Sequence, residues 1–402
     1  MHGPVIPARE GGTPIRPRDR FLVFGQPVLG EPEIRGVVEC LERRWIGTGP
    51  KVHQFEREFA AYRQAPFATA VGSCTAALHL SMVAAGLTTG DEVITTPMTF
   101  CSSVNAIIHT GATPVLVDCD RRTMNITADA IRAKITSRTK AILPVHLCGR
   151  PCEMDDIMEV AQDHDLRVIE DCAHAVETTY HGKAAGTFGD FGCFSFYVTK
   201  NLTTAEGGMI LTGKEELASR LKVLALHGLS KDAWKRFADS GYQHYEVTAA
   251  GFKYNMTDIQ AAIGLAQLQR IDDFARRRSE IWARYNDAFA DLPCIRPAEP
   301  EQYMVHGHHL YTPLLQLERL RVSRDEILDA LTAENIGAGV HFLAVHRHPF
   351  YRETYGWKAG DFPNAEFISD RTLSLPLSGG LSDEDVGDVC EAFRRILLHY
   401  AK

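Results

Sequence analysis

The sequence predicts an α/β protein: a large domain with a mostly parallel, seven-stranded sheet between helices, followed by a smaller C-terminal α/β domain. Three observations carry this reading. Between residues 67 and 212, short β-branched runs alternate with helical stretches, the signature of βαβ units. Several runs are continuously apolar, as in Ala141-Ile142-Leu143, which suits parallel strands buried on both faces. Beyond a long helical pattern, Pro293, Pro297 and Pro300 punctuate the chain and mark a boundary. At 402 residues the chain is too long for one simple core, in keeping with two domains.

The elements follow in order. Residues 1–20 hold Pro4, Pro7, Gly11, Gly12, Pro14 and Pro17 among charges, so they read as a flexible arm; no apolar run precedes a cleavage site. The large domain is expected over 21–270. Its strands are expected at 68–71, 92–95, 113–117, 139–144, 167–170, 193–196 and 209–211, with helices at 75–85, 102–109, 128–135 and 155–163. One long helical segment is expected over 258–292, where Ile271, Phe274, Ile281, Tyr285 and Phe289 share a face. Its Arg276-Arg277-Arg278 triplet reads as a solvated or packing face, with a ligand role left open. Residues 271–402 form the connecting helix and small domain, with strands at 308–317 and 338–342 and helices at 323–334 and 382–397. Ser382 with Asp385 three residues later is a capping signature.

Composition excludes several functions. Formal net charge is -8, without the basic footprint of a nucleic-acid or membrane-surface binder. No stretch approaches the roughly 20 apolar residues of a membrane helix. Ten cysteines scattered through a long chain do not make a disulfide scaffold, so a reduced, cytoplasmic protein is expected. His146, Cys148 and Cys152 lack a fourth ligand and the paired Cys-x-x-Cys spacing, so no metal is expected. The histidines at 306, 308 and 309, and at 346 and 348, read as strand and loop residues.

Three features inside the large domain carry chemistry. In the first, Val71-Gly72-Ser73-Cys74-Thr75 leads from a strand through a small polar turn into a helix. Backbone N–H groups there, beside hydroxyls, suit a phosphate, although Ser73 and Thr75 are also ordinary caps. The second is Val168-Ile169-Glu170-Asp171, a strand whose C-terminal end carries adjacent carboxylates, where α/β folds place ligands. A carboxylate there can pair with a protonated ring nitrogen; taken alone, the pair also reads as a loop or metal-binding acid. In the third, Cys193-Phe194-Ser195-Phe196-Tyr197-Val198-Thr199-Lys200-Asn201 delivers a lone lysine into a polar turn, followed by Glu206-Gly207-Gly208. Desolvation at such a place lowers an amine's pKa and frees it for Schiff-base chemistry. A phosphate turn, an acid for a ring nitrogen and a strand-end lysine are together the parts that a pyridoxal-phosphate site needs.

From Phe24 to about Leu397 the sequence resembles the DegT/DnrJ/EryC1/StrS family of sugar aminotransferases, which have the fold-type-I pyridoxal-phosphate architecture. Ser195-Phe196-x-x-x-Lys200-Asn201 with the downstream Glu206-Gly207-Gly208 is the most specific stretch. Trp45-Ile46-Gly47-Thr48-Gly49-Pro50, Gly90-Asp91-Glu92-Val93-Ile94, residues 141–149 and Gly251-Phe252-Lys253-Tyr254-Asn255-Met256-Thr257-Asp258 add to it. The resemblance implies Lys200 as the lysine that bonds the cofactor and moves the proton, and Asp171 as partner of the pyridinium nitrogen. It implies His174 and Phe100 at the ring, and Ser73, Cys74, Thr75 and Ser195 in the phosphate cup. Asn255 is expected to reach the phosphate of a neighbouring subunit's cofactor, which implies a homodimer with shared active sites. His341 and His346, with Trp45, Thr48 and Tyr197, are substrate candidates. Cys74 departs from the family, whose members carry a small residue such as Ala or Gly there. The implied reaction moves an amino group, from L-glutamate, to a nucleotide-linked keto-sugar, closest in look to enzymes that aminate C4 of UDP-4-keto-sugars. The pathways implied are surface polysaccharide, lipopolysaccharide or antibiotic sugar synthesis. A sugar dehydratase or lyase on the same fold, and a non-catalytic cofactor-binding regulator, stay open as alternatives.

Overall fold

The computed structural model describes residues 6–230 and 245–402. Residues 1–5 of the expected arm, including Pro4, lie outside the described residues. Helices α1 (Glu31–Glu42) and α2 (Pro50–Tyr62) precede the sheet. Strands β1 (Phe67–Val71), β2 (Glu92–Thr95), β3 (Thr113–Leu116), β4 (Thr139–Ile142) and β5 (Arg167–Asp171) then follow. They alternate with α3 (Cys74–Ala84), α4 (Cys101–His109), α5 (Ala128–Arg132) and α6 (Met154–Asp163). A small hairpin, β6 (Thr179–Tyr180) and β7 (Lys183–Ala184), leads to β8 (Phe191–Ser195) and β9 (Gly208–Thr212). Helices α7 (Glu215–Ala225), α8 (Asp258–Leu268) and α9 (Ile271–Ala288) complete this part.

The seven-stranded sheet has the order β1-β9-β8-β5-β4-β2-β3. Only β9 runs antiparallel to its neighbours; β8, β5, β4, β2 and β3 are mutually parallel. Parallel strands need helical crossovers on both faces. Accordingly Ala141 and Ile142 in β4, and Cys193 and Phe194 in β8, are wholly buried. Helix α3 is buried on nearly every side, with Leu78, Leu80 and Met82 fully enclosed, each stabilising by about 1.5–3 kcal/mol. The parallel strands end with their carboxyl termini at one edge, where the crossovers leave a crevice.

After α9, β11 (Met304–Val305) returns to pair antiparallel with β6, while the small domain contains β10 (Cys294–Ile295), β12 (Leu314–Leu315), α10 (Arg324–Ala333), α11 (Pro349–Tyr355), α12 (Pro363–Arg371) and α13 (Asp383–Tyr400). Both α10 and α13 begin with full capping boxes, Ser323 with Glu326 and Ser382 with Asp385. The segment read as a loose arm is, from Ala8 on, attached to this domain. The buried Arg16 guanidinium reaches Asp385 at 2.8 Å and Asp388 at 2.6 Å, and Ala8 and Ile15 donate their N–H groups to the Glu334 carboxylate.

Three expectations change. The single helix over 258–292 is two, broken at Gln269–Arg270, because α8 packs against α1 and α2 while α9 turns to the small domain's core. Of the strand expected at 308–317 only Leu314–Leu315 is regular; Pro313 has no N–H for a ladder, and His308 has φ +43°. Of the strand expected at 338–342, the described residues form a single bridge, Gly339–Ser374, and the chain bends at His341.

Candidate active site

Alternation along β5 sends its two terminal carboxylates in opposite directions. Glu170 turns into the protein, wholly buried, and accepts N–H groups from Gly186 (2.7 Å), Phe188 (2.8 Å) and Gly189 (2.8 Å). His146 Nδ1 accepts from the Cys152 N–H at 3.0 Å, so its proton sits on Nε2, 3.1 Å from Glu170. With these atoms committed, His146 and Glu170 form a hydrogen-bonded brace beside the buried Cys172 thiol.

Asp171 turns the other way, into a cavity of about 470 Å³ at the carboxyl edge of the sheet. Ser103 Oγ donates to its Oδ2 at 2.7 Å and the Ala173 N–H to its Oδ1 at 3.1 Å. Because the Ser103 proton is spent on Asp171, the Thr99 hydroxyl, 2.7 Å away, is the donor to Ser103. Burial lifts the Asp171 carboxyl above the usual range, while Ser103, the Ala173 N–H and the Lys200 charge oppose that rise.

Lys200 lies five residues beyond β8, in a turn closed by its own N–H on the Tyr197 carbonyl (2.9 Å). The side chain is half-buried and faces the cavity. Desolvation lowers its pKa from 10.5 to about 8; Cys74, Asp171 and Cys148 pull the other way. Near neutral pH a useful share of the amine is therefore uncharged.

The opposite wall is the N-terminus of α3. Ser73 caps it, its Oγ accepting from the Ala76 N–H at 3.1 Å, so Cys74 and Thr75 present their N–H groups at the positive end of the helix. The approach of β9 to this turn requires glycine: a Cβ on Gly208 would sit 2.6 Å from the Ser73 carbonyl carbon and 2.8 Å from Cys74 N. Burial holds the Cys74 thiol far above its ordinary pKa, so it is neutral, with Sγ 3.6 Å from the Cys193 carbonyl.

Ten of the residues singled out in the sequence line this one cavity: Ser73, Cys74, Thr75, Phe100, Asp171, His174, Ser195, Tyr197, Lys200 and His341. His174 is neutral, its pKa driven well down by burial, then by Lys200 and His341; its Nδ1 accepts the Cys148 N–H at 3.2 Å. Burial and Lys200 likewise lower His341 to about 4, and its Nδ1 lies 2.8 Å from Ser374 Oγ.

Four others lie elsewhere. Thr48 and Asn255 face a second cavity of about 260 Å³, bonded to each other at 2.7 Å. Trp45 is exposed and donates its indole N–H to the Thr48 carbonyl at 3.3 Å. His346 is buried outside the main cavity, its Nε2 3.1 Å from Glu366, where packing against Phe362 absorbs it into the small domain. Sequence reasoning missed Thr99, Ser103, Thr199 and Phe342. For Thr99 and Ser103 a signal existed: they sit four apart at the entry to α4, flanking Phe100.

Residues 27–394 match the model of the DegT/DnrJ/EryC1/StrS aminotransferase family. The chain is 50% identical over 384 residues to the spore coat polysaccharide biosynthesis protein SpsC of Bacillus subtilis, covering 95% of this chain and 99% of that protein. Among solved structures it is similar to the PMP-form of the putative sugar aminotransferase Spr1654 from Streptococcus pneumoniae, at TM-score 0.88 and 33% identity, covering 94% of this chain and 99% of that one. A further likeness is to DesI solved in the presence of its TDP-sugar product, at TM-score 0.84 and 31% identity, covering 96% of this chain and 94% of that one. The chain thus belongs to the DegT/DnrJ/EryC1/StrS aminotransferase family, whose pyridoxal-phosphate-dependent transfer of an amino group to a sugar is its reaction.

Proposed function

We propose that this protein aminates the keto carbon, C4, of a nucleotide-linked keto-sugar, with L-glutamate as donor, in the synthesis of a surface polysaccharide, a lipopolysaccharide or an antibiotic sugar. The observation that carries the reading is the pairing of a desolvated lysine with a hydrogen-bonded buried carboxylate across one cavity. The likeness to DesI, solved with its TDP-sugar product, supports a nucleotide-linked acceptor.

The residues fit pyridoxal phosphate. Ser73, Cys74, Thr75 and Ser195 would hold its phosphate, with Gly208 keeping the turn open for it. Asp171 would face the ring nitrogen, and Phe100 and His174 would flank the ring. When bound, the cofactor supplies a carbonyl that exchanges with amines and a ring that accepts an electron pair. In this arrangement Lys200 would be the amine that holds the cofactor, and in its uncharged form the base that takes the proton from the donor's α-carbon. A cationic ring nitrogen opposite Asp171 would offset the upward push of burial and favour its anion. Ser103 and the Ala173 N–H fix its carboxylate, so that no reorganisation is needed as charge develops.

The same reading makes the active unit a cytoplasmic homodimer with shared sites. Lys200 is the one Lys or Arg among the described residues lining the main cavity, too little for a diphosphate and a donor carboxylate. Asn255 faces elsewhere, and α1 exposes Ile34, Val38 and Leu41 in a stripe that continues to Trp45. To test the function, the cofactor-loaded protein is given L-glutamate and a panel of UDP- and dTDP-linked keto-sugars, and the products are identified by mass spectrometry and NMR. A C4 amino-sugar with 2-oxoglutarate formed in equal amount is expected. Water loss from the sugar without nitrogen gain would move the dehydratase reading forward.

A further inference from the structure

The Arg276-Arg277-Arg278 triplet divides in the fold. Arg276 and Arg277 reach Asp273, Glu280 and Asp383 at the surface. Arg278 turns inward, is 2% exposed, and pairs with the buried Glu177. A chain of hydrogen bonds leads from that pair toward the catalytic turn. Glu177 Oε2 accepts from Asn201 Nδ2 at 2.9 Å, and the same nitrogen donates to the Gly307 carbonyl at 2.7 Å. Both partners can only accept, so the amide has one orientation and its Oδ1 is left facing His309 Nδ1, 2.9 Å away.

His309 Nδ1 therefore carries the proton. Burial, reinforced by His174 and Lys200, keeps this ring neutral, so its Nε2 is a bare acceptor. Its ring packs on His174 with centroids 4.4 Å apart. The Cys148 N–H on His174 Nδ1 sets the second ring to the opposite tautomer, protonated on Nε2. The chain thus begins on α9, passes through the residue after Lys200 and ends in the wall of the cavity.

A buried ion pair is a weak source of net stability compared with apolar packing, and its best-attested use is to specify geometry. We propose that the Arg278–Glu177 pair is a positioning device for amino transfer: by fixing the Asn201 amide it holds the Lys200 turn, and with it the tautomer of His309, whose ring packs on His174. It rests on the function proposed above for what Lys200 does, though the geometry stands without it. The groups facing Lys200 are Asp171, Cys74 and Cys148, with His174, His309 and His341 as neutral rings.

Two variants test it. Arg278→Met with Glu177→Met removes both charges and strands neither, whereas Asn201→Ser cuts the chain beyond an intact ion pair. Lys200 is titrated in the cofactor-free protein by the pH dependence of its acylation, followed by peptide mass spectrometry. In both variants the midpoint is expected to rise from about 8 by roughly one pH unit as water gains the loosened turn. In loaded enzyme kcat should fall roughly 10–100-fold with KM for the donor changed less than about threefold, and Arg278→Lys should recover part of the loss. If the pair only braces α9, the unfolding midpoint drops while Lys200 titrates as in the wild type and kcat holds; that result overturns the proposal. Should the double variant not fold, Asn201→Ser decides alone. If the wild-type protein proves not to aminate nucleotide sugars, the functional reading fails separately, because the titration uses neither cofactor nor sugar.

Discussion

Asp171 and Lys200 show how the chemistry is set residue by residue. Two neighbours on one strand, Glu170 and Asp171, have different fates because only one side of β5 faces the crevice. Glu170 is consumed by backbone N–H groups, whereas Asp171, held by Ser103 and the Ala173 N–H, faces the cavity. On this account Asp171→Asn keeps the fold and lowers kcat by roughly 10²-fold or more, since a neutral amide cannot hold a pyridinium charged. Single-turnover rates with L-glutamate check it; a loss under fivefold would remove Asp171 from the ring nitrogen. Lys200 carries the reverse cost. Its folded pKa of about 8 lies below the ordinary 10.5, so the unfolded chain binds more proton between those values and stability rises with pH there. Below about pH 8 the full penalty is present. Lys200→Met should therefore stabilise the cofactor-free protein by on the order of 2 kcal/mol near pH 7, after allowance for the half-buried site, and by much less above pH 10. Urea unfolding at the two pH values reads this, and a gain independent of pH would point to packing alone. Both residues were legible in the sequence because each ends an apolar strand in a polar turn. Thr99 and Ser103 left only the weaker signal of their four-residue spacing around Phe100, and His309 left none, because what marks it is proximity in space to Asn201.

Local signals were clear where the backbone itself dictates the choice. The capping boxes at Ser323 and Ser382 start α10 and α13 as their spacing predicts, and the seven strands of the sheet lie near their expected positions. The pattern over 258–292 failed because helical periodicity continues through Arg270, while the break answers to tertiary packing on two domains. Short pairings in the small domain were illegible for a similar reason: bridges such as Tyr311–Leu375 join distant parts of the chain. The approach of β9 to α3 is the element contact with the sharpest consequence. Gly208→Ala places a methyl 2.6 Å from the Ser73 carbonyl carbon, so the phosphate turn must shift. Cofactor affinity is expected to weaken by roughly tenfold, about 1.4 kcal/mol, by fluorescence titration. Unchanged affinity would show that the turn yields without loss.

At the scale of the whole molecule, residues 8–22, expected from the sequence as a flexible arm and the start of the large domain, pack on the C-terminal elements through Ala8, Ile15, Arg16 and Leu22. A single chain leaves Asn255 outside the main cavity and an apolar stripe on α1 exposed. Val38→Asp with Leu41→Asp should convert a dimer to monomers in sedimentation velocity and abolish turnover; a wild-type protein that is monomeric and fully active would refute the shared site. The central claim concerns Lys200, and one measurement reaches it most directly. The protein is loaded with pyridoxal phosphate, reduced with borohydride and digested, and the modified peptide is located by mass spectrometry. The account predicts the cofactor's added mass on the peptide containing Lys200, protected when L-glutamate is added before the reductant. Stoichiometric labelling of another lysine, or no labelling while the sugar is still aminated, would contradict it.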